Sequence, residues 1–232
     1  GITSSLWIEE PSNAISSLLF CVTGYYGLFR KRHHIISEQM KYTYIIFTIC
    51  GLGSFLFHSH FIHLFRYMDE IPMVLLGVTS AYTYSIYLIN NNSLYYYAVL
   101  VFWQGYGIFI LSCNPYLSPE CFRLGFAIPM IYTYGLLYSY VSTIPILYKW
   151  YMNSLYTICW AFVFWNIDVW FCNSYINAAK LHMLWHILVG YSANTLIELS
   201  FYFYLRKEKN YFHNEIQFQD DTIFLHIDVY PE

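Results

Sequence analysis

The chain has 232 residues, of which 58% are hydrophobic, 22% aromatic and only 11% charged. Soluble domains usually carry about one quarter charged residues, which cover the surface that faces water. The composition therefore argues against a compact water-soluble enzyme and indicates a polytopic membrane protein. The net charge of −3 provides no basic surface for nucleic acid, so no nucleic-acid partner is expected.

Seven apolar segments are long enough for membrane-spanning helices, which need about 20 mostly apolar residues. In chain order they are Asn13–Phe29, Tyr42–Phe61, Pro72–Ile89, Leu94–Cys113, Cys121–Val141, Ser154–Phe171 and Leu181–Leu205. These apolar runs are too continuous for the alternating strands of a membrane β-barrel. We predict an all-α fold, a seven-transmembrane-helix bundle in residues 1–205, followed by a polar tail, residues 206–232.

Basic residues near the helix ends predict the orientation of this bundle. If the first helix starts outside, eight basic residues fall on the inner side and three on the outer side. The inner ones are Arg30, Lys31, Arg32, Lys41, Lys149, Arg206, Lys207 and Lys209, and the outer ones are Arg66, Arg123 and Lys180. This distribution predicts a lumenal or extracellular N-terminus and a cytosolic C-terminal tail.

Two cysteines, Cys113 and Cys121, flank the loop between the fourth and fifth segments. This loop falls on the predicted outer side, where a disulfide is permitted. A disulfide and two free thiols are both open interpretations of this pair.

Polar side chains from five segments fall at the same predicted membrane face. Such residues are costly inside a membrane and usually functional. They are Glu10 and Asn13 by the first segment, Ser54 and His58 on the second, Asp69 before the third, Asn166 and Asp168 ending the sixth, and His182 and His186 on the seventh. If the orientation were reversed, these residues would lie at the opposite membrane face, but they would still lie at the same face as one another.

The histidines in this set predict a metal site. His182 and His186 are four residues apart, which places both rings on one face of a helix, as in helical zinc motifs. His58 would add a third neutral imidazole and leave one coordination position for water. Asp69 could accept a proton from that water, and Ser54 could donate a hydrogen bond to a developing oxyanion.

Several of these acidic residues also have a structural interpretation. Asp69 could cap the third helix before Pro72. Asn166 and Asp168 are expected to orient helix ends or ligand histidines rather than to bind metal. Glu198 lies deeper in the seventh segment and is expected to pair with a hydroxyl or to reach the inner interface, with a proton relay as the alternative.

Four ordered sequence blocks resemble the alkaline ceramidases, integral membrane hydrolases distantly related to the adiponectin receptors. Glu10–Ser17 is similar to an ExxNxxSN block, with Ser17 in place of its last Asn. Gly53–His58 followed by Asp69–Met73 resembles a GSxxFH…DELPM block. Phe164–Asp168 with Cys172 resembles an FWNID…C block, and His182–Gly190 resembles HxWWHILTG.

This resemblance implies a zinc-dependent hydrolase that cleaves the amide of ceramide, a membrane lipid, to a sphingoid base and a fatty acid. The implied zinc ligands are His58, His182 and His186, and the implied catalytic residues are Ser54 and Asp69. The residues expected behind the ligands are Asn166, Asp168 and Trp185. The resemblance also favours residence in the endoplasmic reticulum or Golgi, and no protein partner can be inferred.

The start of the chain departs from the family pattern. Many members carry a D-W-C-E-x-N calcium-binding loop before the first helix, with its Cys bridged to the Cys of the FWNID block. Here only Trp7-Ile8-Glu9-Glu10 precedes Pro11, and Cys172 has no such partner. Glu10 matches one expected calcium ligand and Glu9 is a weaker candidate. Either the chain is truncated, or calcium binding is weakened or lost.

The sequence leaves two other functions open. One is an adiponectin-receptor-like signalling receptor with weak hydrolase activity, whose usual cytosolic N-terminus is opposite to the orientation predicted here. The other is a transporter with a His/Asp proton relay. A relay predicts polar residues through both halves of the membrane, whereas Glu198 alone lies clearly in the inner half.

Overall fold

The computed structural model describes residues 8–29, 36–91, 93–113, 119–171, 179–213, 216–219 and 225–229. These residues form seven α-helices and one β-hairpin. The helices are α1 (Pro11–Phe29), α2 (Glu38–His60), α3 (His63–Leu88), α4 (Leu94–Cys113), α5 (Pro119–Val141), α6 (Pro145–Phe171) and α7 (Ala179–Glu208), and the strands are β1 (Ile216–Gln219) and β2 (His226–Val229). The seven predicted helices are confirmed as helices, and the tail adds a short hairpin that the sequence does not predict.

The third helix begins at His63, well before its predicted start at Pro72. The end of α2 explains the difference, because Phe61 has a left-handed backbone with φ of 48° and turns the chain at once. Arg66 then pairs with Glu70 at 2.7 Å, one turn apart, which supports the new helix. Hydropathy does not detect these turns because they are polar.

The longest helix, α7, has 30 residues and, at 1.5 Å per residue, is about 45 Å long. It contacts α1, α2, α3 and α6, so it lies at the centre of these helices. Beside it, α1 and α2 approach closely at Gly24, where a Cβ would lie 2.7 Å from the carbonyl oxygen of Tyr44. This packing brings the first turns of α1 and α7 and the last turns of α2 together.

Hydroxyl groups hold α5, α6 and α7 together in the interior of the bundle. The Tyr134 hydroxyl of α5 lies 2.6 Å from Ser154 Oγ of α6 and 2.8 Å from Ser192 Oγ of α7. All three side chains are buried. Hydroxyl bonds of this kind satisfy polar groups between helices that apolar surroundings cannot satisfy, so they fix α6 against α7.

Four of the described helices are long and apolar enough to cross a bilayer: Glu38–His60, His63–Leu88, Leu94–Ser112 and Phe122–Val141. Large apolar side chains also point outward, including Val101 and Ile108 of α4 and Ile131 of α5. Such a surface suits lipid and not water. These helices indicate a membrane protein, as the composition predicts.

The tail contains an antiparallel hairpin that packs against α7. Ile216 pairs with Val229, and the side chains of Ile216, Leu225 and Ile227 are buried. The backbone N–H of Ile227 donates to Glu198 Oε2 at 3.1 Å. The sequence does not predict that the tail folds back and covers this carboxylate, and the expected hydroxyl partner or inner-interface position of Glu198 stays a prediction.

Candidate metal centre

Three histidines from two helices meet at one end of the bundle. His58 lies near the end of α2, and His182 and His186 lie in the first turns of α7. One ring nitrogen of each residue lies within 4.8 Å of those of the other two. The four-residue spacing on α7 points both rings toward α2. Three imidazoles at this separation could hold one metal ion.

Carboxylates contact two of the three rings from behind. Glu10 Oε2 lies 2.7 Å from His58 Nδ1, and Asp168 Oδ2 lies 3.2 Å from His182 Nδ1. Because a carboxylate only accepts, the shared proton lies on Nδ1 of each ring and Nε2 keeps a lone pair. The hydrogen bond with His58 holds the pKa of the Glu10 carboxyl below its ordinary value, against the opposite effect of burial.

Serine hydroxyls contact the third ring. Ser16 Oγ of α1 lies 2.8 Å from His186 Nδ1, and Ser54 Oγ of α2 lies 3.4 Å from Nε2 of the same ring. Ser16 and its neighbour Ser17 have no role in the site predicted from sequence. A signal for them is present in α1, because Asn13, Ser16 and Ser17 repeat small polar residues at helical spacing on its buried face.

The nitrogen donors suit a metal ion that prefers imidazole ligands. Nε2 of His58 is buried and has no hydrogen-bond partner within the described part of the chain. A buried polar atom without a partner is costly, and coordination to a metal would satisfy it. Histidines that bind metal commonly donate their other nitrogen to a carboxylate, as His58 and His182 do here. The residues present therefore fit such an ion.

A cavity of about 240 Å³ opens beside the histidines. All three rings line it, together with Arg66, Asp69 and Glu70 of α3 and an aromatic wall that includes Trp165 and Trp185. The cavity is thus lined by acidic groups and apolar rings as well as by the three histidines.

Asp69 occupies a different position from the predicted helix cap. Since α3 begins at His63, Asp69 lies inside the helix and its side chain lines the cavity. Its carboxyl interacts with the Ser54 hydroxyl and with the ring of His58. The interpretation of Asp69 as a cap is therefore wrong, and the carboxyl is free to face a molecule in the cavity.

The two other residues expected behind the ligands differ in their contacts. Trp185 is buried and stacks on Trp165 with ring centroids 5.5 Å apart, so it forms part of the cavity wall. Asn166 donates its side-chain amide to the carbonyl of Phe162 at 2.6 Å, one turn earlier in α6. Asn166 therefore supports the end of its own helix.

The expectations about calcium and disulfides depend largely on residues that the structure does not describe. Glu10 contacts both His58 and Asn13 through one carboxylate oxygen, and Glu9 is exposed. Residues 1–7, Cys172 and the side chains of Cys113 and Cys121 lie outside the described part of the chain. Calcium binding and the disulfide therefore stay predictions.

The similarity to known proteins extends over all seven helices described here. The sequence matches the model of the Ceramidase family over residues 3–227. It is also similar to alkaline ceramidase 3 of Mus musculus, with 24% identity in an alignment of 213 residues that covers 85% of this chain and 79% of the relative. The matched region runs from before α1 into β2 and contains every residue of the candidate metal centre. The predicted resemblance is confirmed, and the chain belongs to the ceramidase family.

Proposed function

We propose that this protein hydrolyses the amide bond of ceramide-type sphingolipids to a sphingoid base and a free fatty acid, with zinc as its metal. The observation that carries the proposal is the cluster of His58, His182 and His186, whose ring nitrogens lie within 4.8 Å of one another beside a cavity. Family membership supports the substrate class. Three imidazoles are also a common ligand set of catalytic zinc.

The side chains around the cavity suit the chemistry of amide hydrolysis. When bound, zinc would supply Lewis acidity for the amide carbonyl and would acidify a water molecule. The Asp69 carboxylate takes the proton of the attacking water and passes it to the amide nitrogen as the C–N bond breaks. The Ser54 hydroxyl donates a hydrogen bond to the carbonyl oxygen as negative charge develops there.

Residues farther from the amide keep the histidines in place. Glu10 and Asp168 accept from Nδ1 of His58 and His182, which leaves Nε2 of each ring as the nitrogen that would bind the metal. The cavity of about 240 Å³ has room for the amide and the polar groups beside it. The alkyl chains of the lipid would lie along the apolar side chains outside it.

We also propose that the chain spans the membrane seven times, with the metal centre on the lumenal or extracellular side, in the endoplasmic reticulum or Golgi. The basic residues support this orientation, because eight fall on the side of the tail and three on the other. Engineered glycosylation acceptors near residues 10 and 210 will test it. We expect modification near residue 10 alone, and modification near residue 210 would overturn the orientation.

Zinc content and lipid hydrolysis, measured on one purified sample, test the proposed function. We expect stoichiometric zinc and release of fatty acid from members of a ceramide panel. His186→Ala removes one of three ligands and is expected to lose both zinc and hydrolysis. His60→Ala is the matched control, because His60 is exposed on the same face of the membrane and lies outside the cluster.

Two results would contradict this function in different ways. Stoichiometric zinc without hydrolysis of any N-acyl lipid would show that the metal serves a structural or sensing role. Hydrolysis by wild-type protein that contains no zinc would show that the histidine cluster works without it.

A further inference from the structure

Two adjacent serines of α1 lie between the histidine cluster and the helix that carries Ser54. Ser16 Oγ is 2.8 Å from His186 Nδ1, whereas Ser17 Oγ is 2.9 Å from Ser54 Oγ and 3.3 Å from His186 Nδ1. Ser17 and Ser54 are completely buried, and Ser16 is 5% exposed. Water therefore does not compete for these bonds, and their direction is set by the protein alone.

The proton count at Ser16 fixes the state of the His186 ring. Ser16 has one hydroxyl proton, and the carbonyl oxygen of Asn13 accepts it at 2.9 Å. The contact with His186 must then use the lone pair of Ser16, so the proton between them belongs to Nδ1 of His186. The ring is left with a lone pair on Nε2, the same state that Glu10 and Asp168 impose on the other two rings.

Ser17 connects Ser54 to α1. Ser17 Oγ has one proton and two acceptors within reach, the carbonyl oxygen of Asn13 at 2.8 Å and Ser54 Oγ at 2.9 Å. Ser54 Oγ also lies 3.4 Å from His186 Nε2. Whichever of the two hydroxyls donates to the other, the bond holds Ser54 Oγ in place beside the ring of His186.

We propose that Ser16 and Ser17 are positioning residues of this site, Ser16 for the imidazole of His186 and Ser17 for the hydroxyl of Ser54. Each acts on the site through another side chain, Ser16 through His186 and Ser17 through Ser54, so neither is expected to touch the substrate. The part concerning Ser17 rests on the proposed amide hydrolysis. The part concerning Ser16 requires only that the three histidines bind a metal.

Metal retention tests Ser16 without reference to catalysis. Zinc-loaded protein is titrated with a chelator, and the free zinc at half-release is compared between variants. We expect Ser16→Ala to bind zinc about 10 to 100 times more weakly, as is typical when the partner of a ligand histidine is removed. Ser200→Ala is the matched control, because this buried serine of α7 donates to the carbonyl of Ile197, within its own helix, at 2.7 Å. Equal zinc affinity in Ser16→Ala and Ser200→Ala would overturn the role of Ser16.

A double-mutant cycle tests whether Ser17 acts through Ser54. We expect Ser17→Ala to lower kcat about tenfold, the effect of one buried hydrogen bond, with KM and zinc content unchanged. In a Ser54→Ala background, the same change should have no further effect, because the hydroxyl that Ser17 orients is absent. A tenfold loss in both backgrounds, or no loss in either, would overturn the role of Ser17.

The chelator titration and the double-mutant cycle also distinguish a failure of this inference from a failure of the proposed function. If wild-type protein binds zinc but hydrolyses no N-acyl lipid, the proposed function and the role of Ser17 are both wrong. The chelator titration still decides the role of Ser16 in that case, since it measures the metal alone.

Discussion

Replacing Asp69 with asparagine will lower kcat about one hundred to ten thousandfold while zinc content stays unchanged. The Asp69 carboxyl lines the cavity and interacts with Ser54 and His58. Asparagine has the same shape but cannot take a proton from water, and losses of this size are typical when a general base is removed. Single-turnover hydrolysis of a ceramide, measured with zinc content on the same samples, checks the expectation.

A carboxyl-to-amide substitution outside the site tests whether the expected loss of kcat is specific to Asp69. Glu38→Gln makes the same carboxyl-to-amide change in α2, where Glu38 is exposed and paired with Lys41. It is expected to leave kcat unchanged, because surface ion pairs contribute little. Wild-type kcat in Asp69→Asn would exclude proton transfer by Asp69, and loss of zinc would point to a role in metal binding.

Replacing Gly53 with alanine will damage both stability and activity. A Cβ at this position would overlap the carbonyl oxygen of Met68 and would lie 2.8 Å from the backbone nitrogen of Asp69. Pro72, four residues beyond Met68, has no N–H for that carbonyl, so the oxygen faces α2 directly. Backbone atoms cannot move aside as a flexible side chain can, and the helices must separate.

The expected loss for Gly53→Ala follows from its place in the sequence. Ser54 is the next residue in α2, and separation of the helices would move it away from Asp69. Overpacking typically costs about 1–3 kcal/mol of unfolding free energy, and a displacement of about 1 Å in a catalytic group can lower the rate about one hundredfold. Thermal unfolding in detergent and steady-state kinetics measure the two effects.

Gly135→Ala provides a control for the loss of a helical glycine. No atom lies within 4 Å of a Cβ built at Gly135 in α5. This substitution is expected to keep full activity and to raise stability by up to about 1 kcal/mol, because alanine favours the helix. If the two alanine variants behave alike, the close contact at Gly53 does not position the site.

The sequence predicts helices well where they are apolar and poorly where they are polar. All seven apolar segments are helices in the structure, because hydropathy reports the part of a helix that lipid can cover. Hydropathy does not predict the first turns of α3 and α6, for the opposite reason. Their residues include Arg66, Glu70 and Lys149, which belong at an interface, so the apolar run starts only after them.

The sequence of the hairpin contains a weak pattern typical of strands. Ile216 and Phe218 alternate with polar residues in β1, and Ile227 and Val229 do so in β2. Alternation over four residues is too short to distinguish a strand from a polar tail. Burial of Ile216 and Ile227 against α7 decides the outcome, and such long-range packing cannot be deduced from a local pattern.

The residues of the candidate site also differ in how well the sequence predicts them. Histidines and acids are rare in apolar segments, so each one draws attention, and the structure brings His58, His182 and His186 together. Serines are common in membrane helices, so composition does not single out Ser16 or Ser17. Their importance appears only when α1 is placed against α7 and the hydroxyl of Ser16 meets His186.

The contact between Glu198 and the tail also sets an order of events during synthesis. Ile227 follows Glu198 by 29 residues, and a ribosome adds about 5–20 residues per second, so the N–H is synthesised roughly 1.5 to 6 seconds after the carboxylate. The whole of α7, with both of its histidines, is therefore synthesised before this contact can form. Burial of the Glu198 carboxylate by the tail is a late step, and a nascent chain cut before β2 would lack this contact.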